Sequence, residues 1–372
     1  MRKLRLAVVG AGRLGGFHAR KLAASQEVEL LAVVDPLPAA RNRLAAECHT
    51  RALADYGSLL GQLDAAVIAA PTRLHHKLAL GFLRRGIHLL VEKPLASTLA
   101  EADELVELSR RHGAVLQVGH VERFNPAFAA ALAHTAEPKY VEAVRAGGYT
   151  FRSTDVGVVL DLMIHDIDLV LSMVRCGVRR VDALGLSVLG GHEDVANARL
   201  EFECGCVATL SASRVSYQPA RWMHVWSASA FAAIDFAART TTVVRPSQPL
   251  LRRQLDVNLL SSQQVEHYRE HLFEELLPRT QLQFEAVDAL ALELEDFVES
   301  IRTLRRPRVP GEAGRDAVAV AEQILARIHA HAWDDAPDGP VGPLLTPHSR
   351  VIPAPHFDLT AAQLPPARKE AG

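Results

Sequence analysis

The glycine-rich turn near the N-terminus constrains the fold of this chain more than any other sequence feature. The stretch LRLAVVGAGRLG, residues 4–15, is an apolar strand that runs directly into glycines with the spacing G-x-G-x-x-G. That spacing permits a tight turn, the approach of a pyrophosphate to the backbone, and close packing of the next helix on the sheet. The helix N-terminus adds free N–H groups and a partial positive charge. The residues predicted to bind the dinucleotide here are Gly10, Gly12, Arg13, Leu14 and Gly15.

An acidic residue follows the second apolar run at the distance expected for a ribose ligand. Val28–Val34 ends at Asp35, twenty residues after Gly15. A carboxylate at this place accepts hydrogen bonds from the adenosine ribose and repels the 2′-phosphate of NADP, so we predict NAD as the cofactor. Arg41 lies too far along the next predicted helix to change that prediction. The alternative interpretation is a structural glycine loop followed by a surface aspartate.

Strands and helices alternate over the first third of the chain and then give way to successive strands. Alternation with short connections predicts an α/β fold with a doubly wound parallel sheet of the Rossmann type. The later strands predict a second α/β domain with a large open, mostly antiparallel sheet, and residues 246–283 carry no clear pattern. We predict an NAD-binding domain over residues 1–122, a substrate-binding and oligomerisation domain over 123–335, and a flexible tail over 336–372, which holds eight prolines.

Composition and charge exclude several classes of partner. The net charge is −2 with no basic block, which argues against nucleic acid or an anionic membrane as the main partner. No apolar run approaches the ~20 residues of a membrane helix, and the N-terminus has no signal-peptide pattern. The four cysteines are dispersed, so we predict buried thiols in the cytoplasm and no bound metal.

Two further motifs follow predicted strands, at the sheet edge where ligands bind in doubly wound folds. Pro71 and Thr72, with His75 close behind, would border the nicotinamide half of the cofactor; a plain turn capped by threonine is the alternative. Glu92 and Lys93 end the next strand, where a partly desolvated lysine can exchange a proton with a substrate hydroxyl. A surface Lys–Glu pair explains the same two residues equally well.

A third set of polar residues interrupts an apolar helix predicted over Gly157–Val174. Asp161, His165 and Asp168 have the spacing i, i+4 and i+7, which places them on one helical face. Polar groups in a buried helix need partners or a chemical role, and a histidine beside a carboxylate can act as a general acid or base. A buried histidine with satisfied hydrogen bonds and a divalent metal site are the alternatives, although no second group of ligands stands out.

Together these motifs resemble the Gfo/Idh/MocA oxidoreductase family from Leu4 to about Trp333. The resemblance implies an NAD(P)-dependent oxidoreductase acting on CH–OH groups, with a Rossmann domain followed by an α/β domain that often forms dimers or tetramers. It further implies that Lys93 and His165 transfer the proton, that Asp161 lies beside them, and that Glu92 approaches the nicotinamide ribose. A homodimer or homotetramer is therefore expected.

Two stretches, residues 118–126 and 152–168, resemble the branch that includes UDP-N-acetylglucosamine 3-dehydrogenases. The resemblance implies oxidation of a UDP-N-acetylhexosamine at C3, on a route to lipid A precursors. We expect His120, Arg123 and Arg152 to contact that substrate together with Asp161 and His165, unless Arg123 simply pairs with Glu122. The alternatives are a dehydrogenase of a free sugar or cyclitol, and a non-catalytic NAD sensor on the same fold.

Overall fold

Two β-sheets and the helices packed on them make up the described part of the chain. The computed structural model describes residues 2–151, 155–189 and 191–331. Arg152 and the predicted tail 336–372 lie outside these ranges. Within them, no helix is both long and apolar enough to cross a membrane.

The first sheet is parallel and has six strands in the described residues, in the order β3-β2-β1-β4-β5-β6. The reversal of strand order beside β1 is the doubly wound arrangement that the sequence predicts, and it opens a crevice at the carboxyl ends of the strands. The strands are β1 (Leu4–Val9), β2 (Val28–Val34), β3 (Arg51–Leu53), β4 (Ala65–Ile68), β5 (His88–Glu92) and β6 (Leu116–Gly119).

Four helices connect these strands, and local sequence signals explain where they end. Thr98 caps the fourth helix by accepting a hydrogen bond from the Glu101 N–H, and Gly113 ends it with φ of 63°. Pro38 stands at the first position of the second helix, where its missing N–H costs nothing. The helices are α1 (Arg13–Ala24), α2 (Pro38–Glu47), α3 (Thr72–Leu83) and α4 (Leu99–His112).

The second sheet is mixed and has eight strands in the described residues, in the order β14-β13-β12-β11-β7-β10-β9-β8. Only the β7–β10 pair is parallel among the described pairs, so the sheet is mostly antiparallel, as expected. The strands are β7 (Pro138–Ala146), β8 (Val178–Leu186), β9 (Val195–Phe202), β10 (Val207–Ser213), β11 (Ala220–Ser227), β12 (Phe231–Asp235), β13 (Thr240–Val244) and β14 (Arg279–Gln283).

Helices cover one face of this second sheet and return to the first. Alternate residues along β7 and β10 are buried with α5, α6 and α10 in one apolar cluster, as period-two strands require. The ninth helix instead buries Leu294 and Phe297 in the core beneath the first sheet. The helices are α5 (Pro126–His134), α6 (Ile164–Val174), α7 (Gln248–Leu251), α8 (Ser262–Glu270), α9 (Ala289–Thr303) and α10 (Gly311–Ala330).

Several details differ from the sequence-based expectation. The third helix begins at Thr72, directly after the Pro71 turn, although the apolar periodicity places its start at His76. Residues 246–283 are not irregular throughout, because they contain α7, α8 and β14. The expectation of buried cysteines is wrong for Cys204, which is exposed, and holds for Cys48 and Cys206.

Candidate functional site

The glycine turn after β1 has the geometry that a bound dinucleotide requires. Gly10 has φ of 106°, and a Cβ there would lie 2.3 Å from the Ala69 carbonyl oxygen, so only glycine fits. A Cβ on Gly12, in contrast, would meet no protein atom within 4 Å. No side chain caps the first turn of α1, which leaves its N–H groups to an anion. The space at Gly12 and the uncapped helix both fit a pyrophosphate.

Asp35 is held rigidly at the end of β2. Its two carboxylate oxygens accept hydrogen bonds from the main-chain N–H groups of Ala11 and Leu37, each at 2.8 Å. The Arg41 guanidinium donates to the carbonyl oxygens of Asp35 and Pro36, at 3.2 and 2.9 Å. Arg41 therefore lies nearer to the predicted ribose site than expected, because it stands in the first turn of α2 and its guanidinium reaches back to the main chain at Asp35.

His75 braces the turns around the site. Its ring nitrogens lie 2.8 Å from the carbonyl oxygens of Pro94 and Ala70, and the side chain is buried. Burial lowers the pKa of His75 against the effect of those two carbonyls. The histidine therefore ties the turn after β4 to the cis Lys93–Pro94 turn after β5. Thr72, at the start of α3, is buried beside it.

A cleft of about 580 Å³ runs from the glycine turn to the second sheet. Residues on both sheets line it, so it joins the predicted cofactor site to the predicted catalytic helix. The polar and charged side chains at its wall belong to Arg13, Glu92, Lys93, Glu122, Arg145, Tyr149, Thr150, Asp161, His165, Arg214 and Arg221. Lys93, Asp161 and His165 are thus brought together, as the sequence predicts.

Lys93 and Asp161 form the central contact of this cleft. The Lys93 ammonium donates to the Asp161 carbonyl oxygen at 2.6 Å and to its carboxylate at 3.2 Å. Asp161 lies in a π-helical turn, Val159–Met163, that precedes α6. Such wide turns are frequent at functional sites. The contact holds the lysine ammonium at the cleft wall, where its side chain is only 15% exposed.

Glu193 anchors the N-terminus of the predicted catalytic helix. Its carbonyl oxygen accepts from the Val158 N–H at 2.9 Å, and its carboxylate accepts from the Val159 N–H at 3.1 Å. A Cβ at residue 157 would lie 2.0 Å from Glu193 Oε1, so Gly157 is required for this approach. The anion at a helix N-terminus is also electrostatically favourable. Together these contacts position the π-turn that carries Asp161.

His165 is a neutral imidazole at the cleft wall. Burial lowers its pKa well below the ordinary 6.5, and the positive charges of Lys93 and Arg145 lower it further. Its Nδ1 has no hydrogen-bond partner among the described residues. The His120 ring meets it edge-on, with ring centroids 6.2 Å apart. A neutral imidazole beside an ammonium can accept a proton but cannot donate one until it has done so.

The lowered pKa of His165 predicts the acid side of the pH profile. A neutral imidazole is present at every pH above its pKa, so His165 stays able to accept a proton below pH 6.5, where an ordinary histidine becomes protonated. If His165 is the predicted general base, we expect kcat/KM of the predicted oxidoreductase to fall only at pH values well below 6.5. Initial rates measured across the acid range test this. An acid limb centred at 6.5 or above would show that His165 is not the base.

A buried ion network lies behind the catalytic helix. Arg145 donates to both oxygens of Asp166, at 2.7 and 3.0 Å, and to Glu122 at 3.2 Å. Burial opposes the charge on Arg145, but Asp166 and Glu122 outweigh it and raise its pKa. Arg221 contacts the same Glu122 carboxylate at 2.8 Å from the cleft side. The network fixes α6 on the second sheet.

Other predicted substrate residues are placed differently. Arg123 pairs with the buried Asp168 at 2.8 Å, so neither lines the cleft, and Arg123 does not pair with Glu122. His120 is buried, and neither of its ring nitrogens has a partner in the described ranges. Sequence reasoning missed the arginines of the cleft wall, Arg145, Arg214 and Arg221, because they come from strands and a turn of the second sheet that carry no motif.

Two protein-family models match this chain, and together they cover most of residues 4–229. Residues 4–120 match the model of an oxidoreductase family with an NAD-binding Rossmann fold, and residues 129–229 match the Gfo/Idh/MocA C-terminal domain. The glycine turn and the Glu92–Lys93 pair lie in the first match, and the helix with Asp161 and His165 lies in the second.

Individual relatives include enzymes of two kinds. The chain is 33% identical over 334 residues to the UDP-N-acetylglucosamine 3-dehydrogenase of Acidithiobacillus ferrooxidans. The aligned residues cover 88% of this chain and 98% of the relative. A solved structure of that enzyme has a TM-score of 0.77 at 32% identity, with the same coverage. The scyllo-inositol 2-dehydrogenase (NAD(+)) of Bacillus subtilis is 29% identical over 238 residues, 58% of this chain and 68% of the relative.

Proposed function

Because this chain belongs to the Gfo/Idh/MocA oxidoreductase family, we propose that it is an NAD-dependent dehydrogenase of a UDP-N-acetylhexosamine. The hydroxyl at C3 of the sugar ring would be oxidised to a ketone. The relative that matches nearly its full length, the Acidithiobacillus ferrooxidans enzyme, is named for this substrate and position. An oxidoreductase of this family needs a proton acceptor at the cofactor, and the described residues provide one.

One observation carries the catalytic part of the proposal. Lys93, Asp161 and His165 line the same cleft as Arg13 and Leu14 of the glycine turn, so proton acceptors and dinucleotide share one enclosure. A non-catalytic NAD sensor has no need for a lysine held against a carboxylate or for a neutral buried histidine. The presence of these three residues in one cleft therefore favours an enzyme over a sensor.

Different residues of this chain would bind the pyrophosphate, the adenosine ribose and the substrate hydroxyl. Gly12 and the N-terminus of α1 would hold the pyrophosphate, and Asp35 the adenosine ribose. Bound NAD supplies a hydride acceptor. His165, neutral and at the cleft wall, would accept the proton of the substrate hydroxyl, and the Lys93 ammonium would hold the hydroxyl oxygen by a charge-assisted hydrogen bond. Asp161 keeps the lysine in that position.

Turnover of defined substrates tests the proposal. We expect NADH to form, followed by its absorbance, when the protein is mixed with NAD and UDP-N-acetylglucosamine. UDP should inhibit competitively against the nucleotide sugar, because it carries the diphosphate without the reacting ring. Faster turnover of a free sugar, with no inhibition by UDP, would remove the nucleotide-sugar assignment.

A cyclitol or free-sugar dehydrogenase is the second candidate. Relatives named as inositol dehydrogenases match this chain, among them the scyllo-inositol enzyme of Bacillus subtilis and a myo-inositol 2-dehydrogenase of Thermotoga maritima at 24% identity. The same catalytic residues serve either substrate, since both reactions oxidise a ring CH–OH group. The two candidate substrates differ in charge, because a nucleotide sugar carries a diphosphate and a cyclitol or free sugar does not. A cation in the cleft that can bind phosphate therefore favours the nucleotide sugar.

Arg221 is such a cation on the second-sheet side of the cleft. Arg145 and Arg214 also line the cleft, but Asp166 and Glu122 occupy the first and Asp194 and the Val156 carbonyl occupy the second. The Arg221 side chain is 44% exposed and forms an ion pair only with Glu122 among the described residues, so part of its guanidinium faces the cleft. Arginine forks match phosphate oxygens well.

Loss of Arg221 should weaken substrate binding selectively. We expect Arg221→Gln to raise KM for UDP-N-acetylglucosamine about 10- to 100-fold, the scale of one or two charge-assisted hydrogen bonds. KM for NAD should change little. Arg199→Gln, at an exposed position of β9, is the matched control. Equal KM values in both variants would mean that Arg221 serves only to pair Glu122.

The contacts of Asp35 and Arg41 predict how cofactor preference can be changed. The Asp35 carboxylate disfavours the 2′-phosphate of NADP, whereas the adjacent Arg41 would attract it. Asp35→Ser should therefore improve use of NADP relative to NAD by about tenfold or more. The double variant Asp35→Ser/Arg41→Gln should lose that gain. Tighter binding of NADPH than NADH by the unchanged protein, measured by fluorescence titration, would contradict the assignment of NAD.

A further inference from the structure

A buried polar cluster adjoins the cleft and meets its wall at Glu92. His18 of α1, Glu92 at the end of β5 and Glu293 of α9 each place one nitrogen or oxygen within 4.8 Å of the others. His18 and Glu293 have no exposed surface, and Glu92 is 6% exposed. Two carboxyl groups are thus enclosed side by side, and one of them belongs to Glu92, the residue that precedes Lys93.

Glu92 makes hydrogen bonds with its neighbours, whereas the Glu293 carboxyl group makes none among the described residues. Glu92 Oε1 lies 2.7 Å from His18 Nε2, and Glu92 Oε2 accepts from the Lys93 main-chain N–H at 3.3 Å. Glu293 has no partner for either carboxyl oxygen among the described residues. Gln117 donates its amide to the Glu293 carbonyl oxygen at 2.9 Å, and its own amide oxygen is unpartnered too. The unused hydrogen-bonding atoms of the cluster therefore include both carboxyl oxygens of Glu293.

Electrostatics decide which carboxyl holds a proton. Two adjacent buried carboxyl groups cannot both ionise at ordinary cost. Glu92 faces His18 and the Lys93 charge, which together outweigh burial and lower its pKa. Glu293 faces only acidic charges, those of Glu92 and Asp296, and burial together with them raises its pKa well above the ordinary value. Asp296 is itself paired with Arg305.

We propose that Glu293 is a positioning residue that stays a neutral carboxylic acid and donates its proton toward Glu92. The distance between the two groups is short enough for one water to relay the hydrogen bond. The neutral acid would keep the Glu92–His18 pair intact and so hold the main chain at Lys93 in place. The role in turnover rests on the proposed function, whereas the protonation state of Glu293 does not.

A bound cation would be the competing explanation of the cluster, and the geometry disfavours it. The contact of 2.7 Å between His18 Nε2 and Glu92 Oε1 fits a hydrogen bond, in which a proton would lie between these two atoms. That proton would occupy the lone pairs that a shared metal ion would need. Metal analysis of the purified protein gives an independent answer, and a stoichiometric divalent metal would overturn the proposal.

Infrared spectroscopy tests the protonation state directly. At neutral pH the unchanged protein should show the carbonyl band of a protonated carboxyl group, shifted by D₂O and absent from Glu293→Gln. The exposed neighbour on the same helix gives the matched control, since Glu295→Gln should keep the band. A spectrum with ionised carboxylates only would overturn the proposal, whether or not the protein oxidises a nucleotide sugar.

Kinetics test the positioning role. Glu293→Gln can still donate a hydrogen bond and should keep kcat within a few-fold, whereas Glu293→Leu should lower it on the order of tenfold or more, with KM for NAD little changed. The unchanged enzyme should lose part of its kcat as the pH rises through the raised pKa of Glu293 and this group ionises beside Glu92. Glu293→Gln should lack that part of the loss and keep only the fall that deprotonation of Lys93 causes. Equal kcat and identical pH profiles in all three proteins would show that Glu293 does not position Lys93.

Discussion

Replacing Lys93 by methionine is expected to lower kcat by about 10²- to 10⁴-fold, the usual contribution of a proton-handling group. Methionine keeps the length of the side chain but cannot donate to the substrate oxygen or to Asp161, which now accepts from the ammonium at 2.6 and 3.2 Å. NAD should still bind, because the glycine turn and Asp35 are untouched. Stopped-flow or steady-state NADH formation measures kcat, and protein fluorescence measures NAD affinity.

A second lysine controls for the removal of a positive charge. Lys139 on β7 is 57% exposed and lies outside the cleft, so Lys139→Met should leave kcat unchanged. Retention of near-normal kcat in Lys93→Met would mean that the lysine only braces the π-turn. In that case the substrate oxygen would be held without Lys93, and His165 would be the one proposed residue acting on the hydroxyl.

Replacing Asp166 by alanine is expected to lower the free energy of unfolding by about 3–5 kcal/mol, the cost of leaving a buried charge without its partner. Arg145 and Asp166 have side chains that are 8% and 3% exposed, so water cannot replace the lost carboxylate. Glu122 alone would remain to compensate Arg145. Urea unfolding followed by circular dichroism measures the loss. Since His165 precedes Asp166 on the same helix, kcat should fall as well.

The exposed pair Arg180–Asp182 on β8 provides the comparison. Its side chains are 62% and 48% exposed, so Asp182→Ala should change the free energy of unfolding by less than about 1 kcal/mol. A similar small loss in Asp166→Ala would show that the buried network does not hold the catalytic helix.

Much of the first sheet could be predicted because its signals are local. The sequence predicts helices over residues 38–47, 99–112 and 126–134, and α2, α4 and α5 have these bounds. Proline at a first helical position, Thr98 and Gly113 mark those ends directly. The Lys93–Asp161–His165 group also emerged from sequence, because each residue stands in a motif. In contrast, β14 was missed: its residues Arg279–Gln283 are mostly exposed and show no apolar alternation.

The remaining site features depend on contacts between distant parts of the chain. The pairing of Arg145 with Asp166, and of Arg221 with Glu122, joins strands to segments far away in sequence. The π-turn at Asp161 leaves the helical periodicity nearly unchanged, so no pattern predicts it. Glu293 enters the cluster only because α9 returns to the first sheet after the second sheet is complete. Tertiary packing, which local propensity does not encode, determines each of these positions.

Transfer of a hydride from C3 of a nucleotide sugar to NAD is tested most directly with labelled substrate. The protein would be incubated with NAD and UDP-N-acetylglucosamine that carries deuterium at C3, and the NADH examined by mass spectrometry. The proposed function predicts NADH that carries the deuterium, formed more slowly than from unlabelled substrate when hydride transfer limits the rate. Unlabelled NADH from this substrate, or NADH formed only when a cyclitol is supplied, would contradict it.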